Sequence, residues 1–306
     1  MPKPVLTCVL YHHIRDDPGP FLKHLNITTS PDVLQDHIEY YLKNYDVVDV
    51  DTIISGELPP RPLLITFDDS FRSTLEIAAP IMKKYGVPGV AFLNPEMITG
   101  KAFCLDNLMS YLVSKHGPDA LAAILSENGA ERLTVGDCLA NHVARGTLQD
   151  RRNLKRRILD RLGCAEADLW EESALYLRPS DVKEFATFGL EVGNHSASHV
   201  HCRTLKNGEL SEEIGRSRQT LDSLSGAEVR TFAFPYGNSK DSTPAALGEI
   251  RQSGHAMIFL VHARSNKKRP ADDIWYRVSL TNESTSILYP KLRILPKIRS
   301  VLRGTH

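Results

Sequence analysis

The chain has 306 residues, of which 42% are apolar and 24% are charged, as in an ordinary globular protein. This composition excludes a disordered chain, a collagen and a coiled-coil rod. Lysine plus arginine and aspartate plus glutamate both number 37, so the formal net charge is zero. Without a global basic field, we expect no nucleic-acid partner.

Short apolar runs alternate with helical patterns along most of the chain. The predicted strands are residues 5–11, 47–50, 62–67, 87–93, 190–193, 229–234, 256–261 and 274–278. The predicted helices are residues 31–45, 74–85, 207–225 and 244–253. Repeated strand–helix–strand order predicts a mainly parallel sheet covered by helices, either open or closed into a barrel.

Two segments depart from this alternation. Residues 101–179 contain helical patterns but no convincing strand, so we interpret them as a helical insertion. Within it, the basic run 151–157 is interpreted as a solvated helix face, with contact to an anionic substrate group as the alternative. Residues 281–306 form a basic amphipathic tail. We expect 287–303 to pack on its own domain, with peripheral contact to an anionic membrane as the alternative.

The sequence also predicts where the protein resides. No apolar run approaches the ~20 residues of a membrane-spanning helix, and the first residues lack the long apolar segment of a signal peptide. The five cysteines are odd in number and never in CxxC spacing, which favours reduced, buried thiols; they are Cys8, Cys104, Cys138, Cys164 and Cys202. We therefore expect a cytoplasmic protein.

Two adjacent carboxylates, Asp68 and Asp69, stand where the apolar strand 62–67 ends. The carboxyl ends of parallel strands are where α/β folds build their sites. One aspartate could bind a metal ion while the other stays free as a base. The alternative is a turn or a helix cap.

Two further strand ends carry candidate residues. His195 and His199 could face one ion if their segment forms a helical turn, and with one carboxylate they would leave positions open for water and substrate. Such a set suits one Zn²⁺ ion, with Co²⁺, Ni²⁺ or Fe²⁺ as alternatives. Pro235 and Gly237 favour a tight turn that could aim the Tyr236 N–H at an oxyanion. An ordinary loop turn is the alternative.

Taken together, the motifs TFDD at 66–69, HSASH at 195–199 and FAFPYG at 232–237 resemble those of the polysaccharide deacetylase family, the NodB-homology or carbohydrate esterase 4 group. Ser70 stands where the family's first motif has glycine. The resemblance covers about residues 5–100 and 180–280. It implies an α/β fold, a distorted (β/α)7 barrel, with 1–306 as a single domain that contains the helical insertion.

The resemblance also implies roles for individual residues. Asp69, His195 and His199 would be the metal ligands, and Asp68 the general base in hydrolysis of an N-acetyl amide. The metal ion and the Tyr236 N–H would stabilise the oxyanion. We expect the sugar to contact Pro235, Tyr236 and Trp275. For Trp275, simple packing inside the protein is the alternative to an apolar platform for the sugar.

Two roles have no clear motif. For the general acid we favour His12, because Tyr11-His12-His13 resembles the YH motif of the exopolysaccharide deacetylase branch; His262 is second and His13 third. The arginine that often pairs with the base is absent from the third motif. Arg277 could take its place and keep Asp68 ionised, with an exposed arginine as the alternative.

We therefore predict a metal-dependent N-deacetylase of an acetamido sugar, in a polysaccharide or in a biosynthetic glycan intermediate. One alternative is a deformylase or amidase acting on another N-acyl substrate. The other is a catalytically inactive barrel that binds a glycan. The intact set of Asp68, Asp69 and the two histidines argues against the inactive barrel.

Overall fold

The computed structural model describes residues 5–125, 134–262, 266 and 273–295. Its strands are β1 (Thr7–Tyr11), β2 (His13–Ile14), β3 (Thr28–Thr29), β4 (Asp46–Val47), β5 (Pro62–Phe67), β6 (Gly89–Leu93), β7 (Leu190–Asn194), β8 (Thr231–Ala233), β9 (Met257–Val261) and β10 (Ile274–Ser279).

The α-helices are α1 (Gly19–Leu22), α2 (Pro31–Asn44), α3 (Val50–Ser55), α4 (Ala79–Tyr85), α5 (Pro95–Ile98), α6 (Leu105–His116), α7 (Ala120–Leu125), α8 (Val135–Cys138), α9 (Leu148–Leu162), α10 (Glu166–Ser173), α11 (Asn207–Leu210), α12 (Ser217–Ser225), α13 (Pro244–Gln252) and α14 (Thr285–Tyr289). Shorter 3₁₀- or π-helical segments are Thr74–Ala78, Leu139–Val143, Pro179–Phe188, Cys202–Thr204, Ser211–Arg216, Pro235–Gly237, Ser239–Asp241 and Pro290–Ile294.

In the described part of the chain, seven parallel strands form a closed barrel. Their order around the ring is β1-β5-β6-β7-β8-β9-β10, and β10 pairs with β1 again. Strand β4 joins the start of β5, and β2 pairs with β3 outside the ring. The predicted (β/α)7 barrel is confirmed, and the choice between an open and a closed sheet is decided for the closed form.

Strand β5 shows how the sequence places the site. Every residue of this strand is buried. Leu63, Ile65 and Phe67 pack under the surrounding helices, whereas Leu64 points into the barrel among apolar residues of the other strands. Because side chains alternate along a strand, Thr66 and then Asp68 follow Leu64 on the interior face. The aspartate therefore lies inside the C-terminal end of the barrel.

Residues 101–179 contain helices α6 to α10, and Tyr176 makes one antiparallel bridge to Phe71. These helices share an apolar cluster to which Leu22, Phe71 and Met97 also contribute. Helix α1 is hydrogen-bonded to α6, because the Ser110 and Ser114 hydroxyls donate to the same carbonyl oxygen of Pro20. The insertion is thus attached to the barrel at its C-terminal end.

The predicted strand 47–50 forms only in part. The prediction is wrong beyond Val47, because the Asp49 side chain accepts a hydrogen bond from the Thr52 N–H and starts α3.

In the C-terminal tail, Leu288 and Leu292 are buried in the main core. Residues 296–306, and with them the end of the predicted amphipathic segment, lie outside the described residues. Nowhere in the described ranges is a helix both long enough and apolar enough to cross a bilayer.

Gly193 in β7 provides a test of barrel packing. A Cβ at this position would overlap the Phe92 ring and lie 2.7 Å from the Thr231 Oγ1. We expect Gly193→Ala to lower the free energy of unfolding by about 1–3 kcal/mol, because the strands must move apart. The matched control is Gly248→Ala in α13, where a Cβ meets no atom within 4 Å. It should stabilise the protein by up to ~1 kcal/mol. Urea unfolding measures both, and a wild-type midpoint for Gly193→Ala would contradict the close packing.

Candidate active site

Asp68 is held in a buried ion pair at the C-terminal end of the barrel. Arg277 of β10, which is 0% exposed, donates one N–H to each Asp68 carboxylate oxygen, both at 2.7 Å. The same guanidinium donates to Thr66 Oγ1 at 3.2 Å and lies 5.0 Å from the centre of the Phe92 ring. A bidentate arginine compensates the buried carboxylate charge and fixes its orientation.

Asp69 turns away from this pair and meets two histidines. Its φ of 78° lies in the left-handed region, which separates the directions of the two adjacent carboxylates. Asp69 Oδ1 lies 3.4 Å from His195 Nε2 and 3.3 Å from His199 Nε2. The candidate ligand atoms of all three residues lie within 4.8 Å of one another.

Ser70 explains how the chain tolerates the loss of the family's glycine. This residue also has a positive φ, 58°, a conformation in which glycine costs least. Its hydroxyl accepts a hydrogen bond from the Asn94 N–H at 2.6 Å. The serine side chain thus ties the end of β5 to the end of β6 and offsets part of the strain.

The two histidine rings converge although residues 195–199 do not form the helical turn that was the condition for this at the sequence level. The segment bends through positive φ angles at Ser196 and His199, 61° and 55°. The Asn94 amide donates to the carbonyl oxygens of His195 and Ser196, and Glu213 accepts hydrogen bonds from Ser198. Side chains distant in sequence therefore replace the hydrogen bonds of a helix.

The ring of His195 has a defined orientation. Its Nδ1 lies 2.8 Å from the Ala233 carbonyl oxygen, so Nδ1–H donates there and Nε2 is left as the acceptor atom. This Nε2 faces Asp69 and lies 3.6 Å from Asp68 Oδ2. A histidine held in this way is preorganised to bind a metal ion through Nε2.

The donor set fits a divalent cation. Asp69 Oδ1 is buried, and no group in the described residues forms a hydrogen bond with it, an unfavourable state for a carboxylate oxygen. Burial lowers the pKa of His199 to about 3, although the neighbouring Asp69 opposes this shift. The ring is therefore neutral at neutral pH, the form that binds metals. Two imidazoles and one carboxylate are the ligands of many catalytic sites with open positions.

These groups border a cavity of about 240 Å³. From the barrel side it is lined by Leu10, His12, Asp68, Asp69, His195, His199, Tyr236, Val261 and Ser279. From the opposite side it is lined by Leu25, Ile27, Cys104, Asp106, Asn107 and Leu139. The insertion and the segment after α1 thus form the outer wall of the site.

The adjacent histidines His12 and His13, the first and third candidates for the general acid, have different surroundings. His12 lines the cavity, and its buried Nδ1 has no hydrogen-bond partner in the described part of the chain. His13 lies in β2, with Nδ1 3.2 Å from Thr28 Oγ1 and its ring edge-on to Phe71. Burial lowers the pKa of His13 to about 4. The structure therefore brings His12, and not His13, to the cavity.

His262 and Trp275 lie apart from the cavity. The His262 ring is 6.3 Å from the Tyr276 ring, in an edge-on arrangement, while the preceding residue Val261 lines the cavity. Trp275 is only 4% exposed and belongs to the apolar cluster that fills the barrel interior. The expected contact of Trp275 with the sugar is therefore wrong, because other side chains cover its ring.

In the predicted turn Pro235–Gly237, Tyr236 has a φ of 60° and Gly237 closes the turn by donating to the Phe234 carbonyl. Pro235 is buried, so Tyr236 is the residue of this pair that lines the cavity. Its hydroxyl donates to Asp106 Oδ1 at 3.0 Å. Its ring stacks on His201 at 3.9 Å, which makes His201 a neighbour of the site.

Two residues of the insertion that border the site, Asp106 and Arg151, did not stand out from the sequence. Asp106 stands in the first turn of α6, where an acid is ordinary, and burial raises its pKa to about 6. Arg151 is not part of a solvated face: it is 7% exposed, whereas Arg152 and Arg156 are exposed. Arg151 lies three and seven residues before the buried Leu154 and Ile158 on α9, and this helical spacing indicates that it shares their buried face.

Comparisons with known proteins identify the family and the fold. The model of the family described as "Polysaccharide deacetylase" matches residues 55–257. The fold is similar to the Streptococcus pyogenes deacetylase PplD in complex with acetate, with a TM-score of 0.63 and 15% identity over 95% of this chain and 99% of that one. It is also similar to IcaB from Ammonifex degensii, with a TM-score of 0.58 and 17% identity over 94% and 97%.

A third similar structure is the de-N-acetylase from Aggregatibacter actinomycetemcomitans, with a TM-score of 0.58 and 17% identity over 91% of this chain and 96% of that one. At these identities the solved structures establish the fold. Together with the family match, the fold defines the class of protein, a carbohydrate deacetylase. The chain belongs to the polysaccharide deacetylase family.

The Asp68–Arg277 pair makes a stability prediction. Arg277→Met should lower the free energy of unfolding by about 3–5 kcal/mol, because the buried Asp68 charge loses its partner. The double variant Arg277→Met/Asp68→Asn should regain part of this loss, since a neutral amide needs no countercharge. Denaturant unfolding of the wild type, both single variants and the double variant gives the coupling energy. Additive losses would contradict a direct ion pair.

Proposed function

We propose that this protein is a divalent-metal-dependent N-deacetylase that releases acetate from an acetamido sugar. The supporting observation is one cavity at the C-terminal end of the barrel that holds both an ion-paired aspartate, Asp68, and the set Asp69, His195 and His199. The first group has the character of an oriented base and the second that of a metal site. Metal-assisted hydrolysis of an amide uses both functions.

Each residue has a proposed part in the reaction. Asp69, His195 and His199 would hold the ion, which when bound polarises a carbonyl group and makes water more acidic. Asp68 accepts a proton from the attacking water. Its two oxygens each retain a lone pair beside the hydrogen bond from Arg277, so the base stays oriented while it reacts.

Two further groups would complete the site. The Tyr236 N–H donates to the carbonyl oxygen as negative charge develops there. His12 donates a proton to the nitrogen of the leaving amine, because it lines the cavity beside Asp69 and has a free ring nitrogen. We assign no catalytic role to His262 or His13.

The cavity size bears on the substrate. At about 240 Å³ the cavity is below the ~300–1,000 Å³ typical of sites for drug-sized ligands. We therefore propose that one sugar residue enters it, as in a biosynthetic glycan intermediate or at a chain end. A cytoplasmic location stays a prediction, and contact of residues 287–303 with a membrane stays the alternative to packing on the domain.

The proposal is tested by metal analysis and acetate release on one sample. The panel contains N-acetylglucosamine, a nucleotide-linked acetamido sugar and acetylated oligomers, each with and without chelator. We expect about one bound ion per chain and acetate release that chelator abolishes and Zn²⁺ or Co²⁺ restores. Formate release from matched N-formyl sugars, without acetate, would favour the deformylase alternative. No binding of Zn²⁺ or Co²⁺ and no hydrolysis would favour a glycan-binding barrel.

The two adjacent aspartates should be separable by mutation. Asp68→Asn should retain the metal ion but lower kcat by at least ~100-fold, because the base is lost while the ligands remain. Asp69→Ala should lose the ion, since it removes the carboxylate ligand. Elemental analysis and steady-state kinetics measure the two effects. Near-wild-type turnover by Asp68→Asn would refute its role as base.

The acid is tested by comparing His12→Ala with His262→Ala. We expect His12→Ala to lower kcat by ~100-fold or more, because the leaving amine then lacks a proton donor. The His262 ring packs beside Tyr276, so His262→Ala should keep the wild-type kcat. The reverse result would transfer the acid role to His262.

A further inference from the structure

The insertion supplies a carboxylate to the far side of one proposed metal ligand. Asp106, at the start of α6, is 7% exposed. Its Oδ1 accepts a hydrogen bond from the Tyr236 hydroxyl at 3.0 Å. Its Oδ2 lies 3.8 Å from Nδ1 of His199, the ring nitrogen opposite the one that faces Asp69. Asp106 is therefore placed to interact with His199 without facing the ion.

A second residue of the insertion holds the backbone of the same histidine. Arg151 of α9 donates from one terminal nitrogen to the His199 carbonyl oxygen at 2.8 Å. Both terminal nitrogens also approach the Tyr236 hydroxyl, at 3.4 and 3.3 Å. His199 has a φ of 55°, an unfavourable conformation for a residue with a Cβ. The Arg151 hydrogen bond opposes relaxation of this backbone.

Tyr236 links the two interactions. The centre of its ring lies 4.6 Å from the centre of the His199 ring, and its hydroxyl joins Asp106 to Arg151.

Cys104 also approaches His199 Nδ1, with Sγ at 3.8 Å, so Cys104, Asp106 and His199 could be mistaken for a second cation site. The Arg151 charge near Asp106 and the hydroxyl on its Oδ1 disfavour a cation there.

We propose that Asp106 and Arg151 are positioning residues that hold His199 for metal binding. The Asp106 carboxylate favours the tautomer with a proton on Nδ1, so that the Nε2 lone pair is directed at the ion beside Asp69. Arg151 fixes the main chain that carries the ring. This inference rests on the proposed function, because it requires His199 to be a ligand. It makes the helical insertion a structural part of the metal site.

The test measures metal affinity, not activity. Full-length wild type and variants are stripped with chelator, and their Zn²⁺ affinity is measured by competition with a chromophoric chelator. Asp106→Asn is nearly isosteric and can still accept the Tyr236 hydrogen bond, so it changes mainly the partner of His199. We expect Asp106→Asn and Arg151→Met each to weaken Zn²⁺ binding by about 10–100-fold.

Matched controls lie on the same insertion. Asp160→Asn and Arg152→Met remove the same charges from exposed positions on α9, and both should bind Zn²⁺ like the wild type. With Co²⁺ in the site, Asp106→Asn should shift the visible absorption bands, since the ring orientation changes, whereas Asp160→Asn should not. Thermal melting shows whether each variant is folded. If Arg151→Met is unfolded, Arg151→Lys is measured in its place, and we again expect weakened Zn²⁺ binding.

The outcomes separate this inference from the proposed function. Wild-type affinity and an unchanged Co²⁺ spectrum in folded Asp106 and Arg151 variants would overturn the positioning role, provided that Asp69→Ala abolishes binding. A wild-type protein that binds neither Zn²⁺ nor Co²⁺ would overturn both proposals. Equal weakening in the two controls would also refute the positioning role, because loss of surface charge alone would then account for the effect.

Discussion

The buried pair of Asp68 and Arg277 is the constraint on which the site depends. A carboxylate inside an apolar barrel is stable only with a countercharge and hydrogen bonds on both oxygens. Arg277 supplies both, and the aromatic faces of Phe92 and Phe259 border its guanidinium. The pair closes the apolar interior at its C-terminal end.

Backbone strain is concentrated around the same cavity. In the described ranges, the non-glycine residues with positive φ include Asp69, Ser70, Ser196, His199 and Tyr236, all within the three motifs or, for Ser70, directly after the first. Such conformations persist only where surrounding groups hold them. The hydrogen bonds that stabilise the segment 195–199 come from residues distant in sequence. These residues are Asn94 at the end of β6, Glu213 in the helical segment after α11, and Arg151 in the insertion. The motifs depend on residues outside themselves.

This dependence explains how far the sequence could predict the molecule. The closed barrel followed only from the family resemblance. Apolar strands and the residues at their ends are local patterns, so the parallel α/β sheet and the placement of Asp68, Asp69 and His195 at strand ends could be predicted. The conformation of the HSASH segment could not, because Asn94 and Glu213 are distant in sequence. Trp275 was misjudged, since alternation along β10 places it in the interior together with Arg277. Asp106 and Arg151 were missed because charges on helices ordinarily face solvent.

The closed ring of strands has a consequence for the order of folding. Strand β1 is hydrogen-bonded to both β5 and β10, so the ring cannot close until the chain has been synthesised through residue 279. During synthesis Asp68 emerges long before Arg277. On the ribosome the incomplete barrel would expose the edges of β1 and β9 and leave an aspartate without its countercharge. Docking of β10 therefore closes the sheet and gives Asp68 its countercharge in a single late step.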